Sequence, residues 1–83
     1  MSDQIYEVKS PLMGTFYRAS APGAPALVEI GQKIEASDIV CVIESMKIFT
    51  ELRAEKGGVI KEILADNEEM VMKNQVLIRV EAG

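Results

Sequence analysis

The sequence predicts a small all-β domain, either a sandwich or a barrel, from three observations. Short runs of β-branched and other apolar residues recur along the 83 residues, turn residues separate them at regular intervals, and no segment combines a helical period with helix caps. A hydrophobic fraction of 48% in a chain of this length indicates one domain, spanning residues 1–83. Such a domain has little room for both a core and an enclosed catalytic cavity.

Six strands and two shorter extended segments follow one another along the chain. The predicted strands are Ile5–Lys9, Gly14–Arg18, Ile39–Glu44, Ile48–Arg53, Gly58–Leu64 and Val76–Glu81, and the shorter segments lie near Gln32–Ile34 and Met70–Met72. Glycine, proline, Ser-Asp and Asp-Asn pairs provide the turns between them. The predicted core residues are Val8, Phe16, Ile34, Val40, Val42, Leu52, Ile60, Val71, Leu77 and Val80.

The chain also repeats itself. The segment GTFYR at 14–18 matches GVIKE at 58–62, which is 44 residues later, and the segment 27–44 matches 64–81, which is 37 residues later. This repeat predicts two similar half-domains related by a pseudo-two-fold axis. The alternative is that two β-rich segments overlay by chance.

The two offsets differ by seven residues, which places an insertion in the first half between Arg18 and Leu27. The inserted segment, residues 19–26, reads ASAPGAPA. Because prolines restrict the backbone and lack an N–H donor, we expect a stiff protruding loop here. On composition alone, a neutral surface insertion remains the alternative.

Composition excludes several classes of function. The net charge is −4 with scattered basic residues, so the chain shows no footprint for nucleic acid. No apolar run approaches the ~20 residues that span a bilayer, and the polar start is unlike a signal peptide. The chain has no histidine and one cysteine, Cys41, which excludes a zinc site and the commonest general base. We therefore expect no metal and no catalytic groups, with Cys41 as a buried structural thiol.

The strands 39–44 and 48–53 are close enough to form a hairpin, but their turn is unusual. Tight hairpins favour Asn-Gly, Asp-Gly or another glycine pair, whereas this turn would consist of Ser45-Met46-Lys47. Where a local rule fails in an otherwise consistent domain, function is the first explanation to consider. A lysine at the tip holds its amine far from the core, where a second protein could join an activated acyl group to it. The alternative is an ordinary solvated lysine in a turn.

Four segments resemble one family. ESMKIF at 44–49 resembles the biotinylation signature of biotin-dependent carboxylases, and SPLMGTF at 10–16, VEIGQKI at 28–34 and AEKGGVIKEIL at 54–64 resemble its flanking strands and turns. The insertion after GTFYR resembles the thumb of the biotin carboxyl carrier proteins of multi-subunit acetyl-CoA carboxylases. The match covers nearly the whole chain, roughly residues 8–81.

This resemblance implies a flattened β-barrel, or barrel-sandwich hybrid, of two four-stranded antiparallel sheets with pseudo-two-fold symmetry. It implies that biotin is attached covalently to Lys47 and that a biotin protein ligase reads the neighbouring residues. These neighbours are Glu44, Ser45, Met46 and Ile48. The thumb would consist of Ala19, Ser20, Ala21, Pro22, Gly23, Ala24, Pro25 and Ala26 and would fold toward the biotin ring.

The resemblance also implies a carrier that moves a carboxyl group from biotin carboxylase to carboxyltransferase, where acetyl-CoA becomes malonyl-CoA in fatty acid biosynthesis. No membrane or nucleic acid partner is expected, and the compartment would be the bacterial cytoplasm or the plastid stroma. Another biotin-dependent carboxylase, a lipoyl domain or an unmodified adaptor domain remain alternatives.

The chain departs from the family pattern at a few positions. Ser45 replaces the common alanine and Ile48 the common methionine. In the second half, Asn67-Glu68 stands where the first half has Ile30-Gly31. If this turn needs a positive φ, Asn67 is expected to supply it more easily than Glu68.

Overall fold

The computed structural model describes residues 4–21 and 23–83, and it is all-β. Its eight strands are β1 (Gln4–Lys9), β2 (Gly14–Tyr17), β3 (Lys33–Ile34), β4 (Ile39–Ser45), β5 (Ile48–Arg53), β6 (Gly58–Ile63), β7 (Met70–Val71) and β8 (Val76–Ala82). All eight predicted segments are confirmed, with ends that shift by one residue at most. The strands form two four-stranded antiparallel sheets, as predicted.

Strand order confirms the repeat. One sheet has the order β1-β8-β6-β3 and the other β5-β4-β2-β7. β5 and β6 lie 44 residues after β1 and β2 in the sequence, and β7 and β8 lie 37 residues after β3 and β4. The repeat therefore makes β1 equivalent to β5, β2 to β6, β3 to β7 and β4 to β8. Each strand therefore has the same neighbours as its counterpart, which is the arrangement that a pseudo-two-fold axis requires.

The turns repeat in the same register. Gly31 and Glu68 both have positive φ, at 89° and 71°, and so do Ser37 and Asn74, at 74° and 70°. The backbone N–H of Gly31 donates to the carbonyl of Ile60 at 2.8 Å. The equivalent N–H of Glu68 donates to the carbonyl of Phe16 at 2.6 Å. The two halves thus share a backbone framework as well as a strand order.

The expectation for the Asn67-Glu68 turn is wrong, because Glu68 and not Asn67 has the positive φ. The physical reason is that the Glu68 N–H must point at the Phe16 carbonyl, as the Gly31 N–H points at Ile60 in the other half. Asn67 uses its side chain instead, and its Oδ1 accepts a hydrogen bond from the Arg18 N–H at 2.8 Å.

Two equivalent glycines allow the inner strands to approach closely. A Cβ on Gly14 would lie 2.5 Å from the Glu44 carbonyl oxygen, and a Cβ on Gly58 would overlap the Glu81 carbonyl oxygen. Glu44 and Glu81 are themselves equivalent, being 37 residues apart. The match between GTFYR and GVIKE therefore has a steric basis, because only glycine fits at the first position of each segment.

The core lies between the sheets, and nine of the ten predicted core residues are buried. Leu52 is the exception: it packs against the core but is only half-buried, because β5 is an edge strand. Val42 is buried, but it lies outside the main hydrophobic cluster. Cys41 is buried, as predicted, and the buried apolar residues that the prediction did not include are Val28, Ile43, Ala54, Ala65 and Ile78. Burial raises the pKa of the Cys41 thiol to about 12, which makes it unreactive.

Candidate functional site

The β4–β5 turn contains two residues, Met46 and Lys47. Ser45 and Ile48 pair with each other and end the two strands, so Ser45 belongs to β4 and not to the turn as predicted. Met46 has a φ of 53° and Lys47 a φ of 66°. Positive φ at both central residues defines the type I′ hairpin turn, whose backbone twist suits the strands but favours asparagine and glycine. Met46 and Lys47 therefore occupy conformations that their side chains disfavour.

The tip of this hairpin is exposed and apolar around the lysine. Met46 is 92% exposed, Ile48 67% and Phe49 60%, and Lys47 is also exposed. Glu44 and Ser45 are half-buried. The structure therefore brings the predicted recognition residues together, with Met46, Lys47 and Ile48 outward and with Glu44 and Ser45 at their base.

A row of side chains crosses the outer face of the sheet just below the tip. In this row, Phe49 pairs with Glu44 and Glu44 pairs with Thr15. The Tyr17 hydroxyl donates to Glu44 Oε1 at 3.1 Å, and the Tyr17 and Phe49 ring centroids are 6.3 Å apart. The hydrogen bond to Glu44 is the main cause that raises the pKa of Tyr17, with smaller contributions from burial and from the charges of Glu44 and Glu68.

The insertion folds as a closed loop above this face. Ala19 and Ala26 form an isolated antiparallel bridge, and the Leu27 N–H donates to the Arg18 carbonyl at 2.7 Å. At its tip the Ala24 N–H donates to the Ala21 carbonyl at 3.0 Å, and Gly23 has a φ of 80°. Pro22, which is part of the predicted thumb, lies outside the described residues. We call residues 19–26 the thumb, and its described part is an irregular loop.

Arg18 connects the base of the thumb to its surroundings. Its Nη2 donates to the Val28 carbonyl at 3.2 Å and to Glu29 Oε1 at 3.0 Å, which holds the returning segment. Its backbone N–H donates to Asn67 Oδ1, which holds the outgoing segment against the β6–β7 connection. These bonds join residues up to 49 positions apart, and no local pattern in the sequence indicates them.

Beneath the thumb lies a cavity of about 380 Å³. Its walls are the thumb, the outer face of the sheet and the turn at 67–68. The described residues that line it are Tyr17, Ala19, Ser20, Ala21, Gly23, Ala24, Val42, Phe49, Asn67 and Glu68. The sequence predicted that the thumb belongs to the site, but it did not predict the other lining residues of the cavity, which are Tyr17, Val42, Phe49, Asn67 and Glu68. An apolar Val42 on the solvent side of a strand was the available signal, and it was assigned to the core instead.

Within residues 4–21 and 23–83, no three histidine, cysteine or carboxylate side chains gather as a metal-ion site. In that part of the chain no helix is long and apolar enough to cross a membrane.

Comparison with known proteins places this geometry in a family context. Residues 6–80 match the family model described as biotin-requiring enzyme. A biotin carboxyl carrier protein of acetyl-CoA carboxylase from Nostoc is 45% identical over 96% of this chain and 44% of its own length. The corresponding protein of Haemophilus influenzae is 42% identical over 96% of this chain and 53% of its own length. A chloroplastic relative from Arabidopsis thaliana is 50% identical over 72% of this chain and 24% of its own length. This chain thus spans about half the length of these relatives, or less.

Solved structures give the same context for the fold. The urea carboxylase of Kluyveromyces lactis matches with a TM-score of 0.76 and 28% identity over 96% of this chain and 6% of its own length. A single-chain, multi-domain long-chain acyl-CoA carboxylase matches with a TM-score of 0.83 and 17% identity over the whole of this chain and 8% of its own length. At that identity the second match concerns the fold alone.

Proposed function

The chain belongs to the family of biotin-requiring enzymes, and from that membership we propose that it is the biotin-bearing domain of a carboxyl carrier, with Lys47 as the attachment residue. The observation that carries the proposal is the exposed lysine on a two-residue turn with positive φ. An unoptimised backbone at an otherwise regular hairpin points to a requirement other than folding. The attachment would be an amide between the biotin carboxyl group and Lys47 Nζ.

The supporting comparison favours biotin over lipoate. Met46 precedes the lysine and Ile48 follows it, whereas lipoyl domains commonly have Asp-Lys-Ala at this turn. The relatives from Nostoc and Haemophilus influenzae are named as biotin carboxyl carrier proteins. We infer that the domain serves acetyl-CoA carboxylase, with biotin carboxylase loading the carboxyl group and carboxyltransferase passing it to acetyl-CoA to form malonyl-CoA.

In this proposal the domain contributes no catalytic group of its own. It holds the arm on a rigid hairpin, so that transfer between two partner enzymes becomes a local event at high effective concentration. Biotin supplies the carboxyl-carrying chemistry when it is attached. Because the relatives include bacterial and chloroplastic proteins, the bacterial cytoplasm and the plastid stroma are the compartments we propose.

The cavity beneath the thumb fits the ring of such an arm. Its volume of about 380 Å³ is at the lower end of small-molecule sites. Tyr17, Phe49 and Val42 offer apolar surface for the thioether ring, and Asn67 and Glu68 offer polar groups for its urea. Phe49 is two residues beyond Lys47, about 7 Å along an extended strand. The lysine stem and the valeryl chain of biotin can span this distance, so we propose that the thumb limits the movement of the arm.

Intact mass after co-expression with a biotin protein ligase tests the attachment. The parent should gain the mass of one biotinyl group, and Lys47→Arg should gain none, because arginine keeps the charge but does not form the amide. Lys56→Arg and Lys73→Arg are matched controls on exposed turns and should be modified as fully as the parent. Biotin on Lys47→Arg would contradict the proposal, as would a lipoyl mass on the parent.

A second test concerns recognition by the ligase. We propose that the ligase reads Met46, because a side chain that is 92% exposed packs too little to matter for folding. Met46→Gln should slow biotinylation and leave the melting temperature unchanged. An unaltered rate would show that the ligase recognises the hairpin without this side chain.

A third test concerns the thumb. Replacing residues 19–26 by a short turn should preserve folding and biotinylation but reduce the rate of carboxyl transfer. Equal transfer rates with and without the loop would favour the neutral insertion.

A further inference from the structure

One wall of the cavity is the turn at 67–68, and its residues differ from those of the equivalent turn in the first half. The first half has Ile30-Gly31 at this turn and the second half has Asn67-Glu68. Both turns require a positive φ at the second residue, which glycine adopts freely and glutamate does not. Glu68 nevertheless occupies the position with a φ of 71°. A non-glycine residue held in such a conformation suggests that its side chain is needed there.

Asn67 links this wall to the thumb. Its Oδ1 accepts a hydrogen bond from the Arg18 N–H at 2.8 Å, at the residue from which the thumb departs. The Leu27 N–H donates to the Arg18 carbonyl where the thumb returns, so both ends of the loop depend on Arg18. Ile30, the counterpart of Asn67, has no side-chain acceptor. The turn at 30–31 therefore offers no equivalent of this link.

Glu68 presents the negative charge of the cavity. It lines the space together with Tyr17 and the thumb, and none of the described lining residues is a lysine or an arginine. The Glu68 charge is near enough to contribute to the raised pKa of the Tyr17 hydroxyl. The ion pairs among the described residues do not include Glu68. Its carboxylate is thus an acceptor without a cation partner among the described residues, at the edge of a mostly apolar space.

We propose that the Asn67-Glu68 turn is the fixed wall of the site for the biotin ring: Asn67 positions the thumb, and the Glu68 carboxylate accepts a hydrogen bond from an N–H of the ring urea. This inference rests on the proposed attachment of biotin to Lys47. An ionised carboxylate only accepts hydrogen bonds, and the urea of biotin has N–H groups to donate. Such charge-assisted bonds are stronger than neutral ones.

The Glu68 contact is tested by NMR on the domain with and without biotin. In the parent, attachment should shift backbone amide signals at the thumb and at 67–68 as well as at the turn. In Glu68→Gly those distant shifts should fall by at least half, although the variant should melt at or above the parent temperature because glycine suits the backbone. Glu68→Gln keeps an acceptor without charge and should give an intermediate shift. Glu55→Gln, an exposed carboxylate outside this cavity, is the matched control and should resemble the parent.

The Asn67 contact is tested on the unmodified domain by hydrogen exchange. Asn67→Ala should accelerate exchange of the Arg18 N–H by at least about tenfold, since this N–H loses its acceptor. Ile30→Ala, at the counterpart position, should leave that rate unchanged. On the biotinylated domain, Asn67→Ala should also reduce the shifts at the thumb, because the loop is no longer held in position.

The outcomes separate this inference from the function on which it rests. A missing biotinyl mass on the parent overturns the attachment itself. Full attachment without any shift at the thumb or at 67–68 overturns the ring site and leaves the attachment intact. Full shifts in the parent that persist in Glu68→Gly overturn the role of Glu68. An unaltered Arg18 exchange rate in Asn67→Ala overturns the role of Asn67.

Discussion

The two sheets share one backbone framework, but the side chains on their outer faces differ. In the first half Val42 lies on the outer face of β4, where it lines the cavity beneath the thumb and is 5% exposed. Its counterpart Arg79 on β8 lies in solvent between Glu62 at 2.7 Å and Glu7 at 3.3 Å. The Tyr17–Glu44 hydrogen bond has as its counterpart an ion pair between Lys61 and Glu81 at 3.3 Å.

This difference shows which parts of a repeated fold are free to diverge. The inner face and the turns are tied to each other by packing and by backbone hydrogen bonds, so they stay alike in both halves. The outer face carries no such restriction. On the sheet β1-β8-β6-β3 the outer face carries side chains of opposite charge that form ion pairs. On the sheet β5-β4-β2-β7 the part beneath the thumb carries apolar and aromatic side chains. The cavity beneath the thumb lies on the outer face of the sheet β5-β4-β2-β7.

The two ends of the barrel differ in the same way. Ser45 pairs with Ile48 where β4 and β5 join, and Ala82 pairs with Gln4 at the equivalent position of β8 and β1. The first pair is connected by the Met46-Lys47 turn. Lys47 and the cavity thus both lie at the sheet β5-β4-β2-β7, and the four predictions below test how far this asymmetry extends.

The largest expected effect concerns Cys41, whose counterpart is Ile78. Burial raises the pKa of Cys41 to about 12, against about 8.5 for an unfolded thiol. The folded state therefore keeps its proton while the unfolded state loses it. The resulting stability is fully present below about pH 8.5 and is lost as the pH rises toward 12. Between pH 8 and 10.5 this amounts to roughly 2–3 kcal/mol, at 1.36 kcal/mol per pKa unit.

Urea unfolding of the parent and Cys41→Val at both pH values measures this loss. The variant should lose less stability than the parent on raising the pH, because valine, like Ile78, does not titrate. Tyr17→Phe removes another group whose pKa is raised and serves as the control. Equal losses in the parent and in Cys41→Val would mean that the thiol does not govern alkaline unfolding.

The next effect concerns the equivalent glycines Gly14 and Gly58. Alanine at either position brings Cβ against a carbonyl oxygen of the neighbouring strand, that of Glu44 or of Glu81. We expect each variant to lower the free energy of unfolding by about 1–3 kcal/mol, or the melting temperature by roughly 4–8 °C per kcal/mol. Gly83→Ala, where an added Cβ meets nothing within 4 Å, is the control. A variant at Gly14 that melts like the parent would show that the halves are less alike than their strand order indicates.

A smaller gain is expected at the turn that distinguishes the first half. Met46 and Lys47 both have positive φ, which Asn and Gly adopt readily in a type I′ turn. The Met46→Asn, Lys47→Gly variant should therefore be more stable than the unmodified parent by on the order of 0.5–2 kcal/mol, and it should accept no biotin. Thermal unfolding of the two unmodified proteins is the appropriate comparison, because attached biotin could itself stabilise the fold. A lower melting temperature would mean that the Met46 side chain offsets its backbone cost by packing.

The asymmetry also explains what the sequence could and could not predict. The strands, the repeat and the exposed lysine follow from local patterns of apolar and turn residues, and all were predicted. The cavity depends on residues far apart in the chain, such as Arg18 and Asn67, and a local pattern carries no information about such pairs. Glu68 was mispredicted because propensity favours Asn67 at positive φ, whereas the hydrogen bond to Phe16 determines which residue adopts it.

The smallest effect is expected on the outer face of the second half. Arg79→Val introduces the residue that the first half has at the equivalent position, and it leaves Glu7 and Glu62 close together without the cation between them. Because all three side chains are exposed, their ion pairs are screened and contribute little at physiological salt. We expect a slightly lower melting temperature in dilute buffer and no difference from the parent in about 1 M sodium chloride, where the Debye length is about 3 Å. Biotinylation of Lys47 should be unaffected. A large loss that persists in high salt would mean that the ion pairs, and not the shared inner framework, hold the second half together.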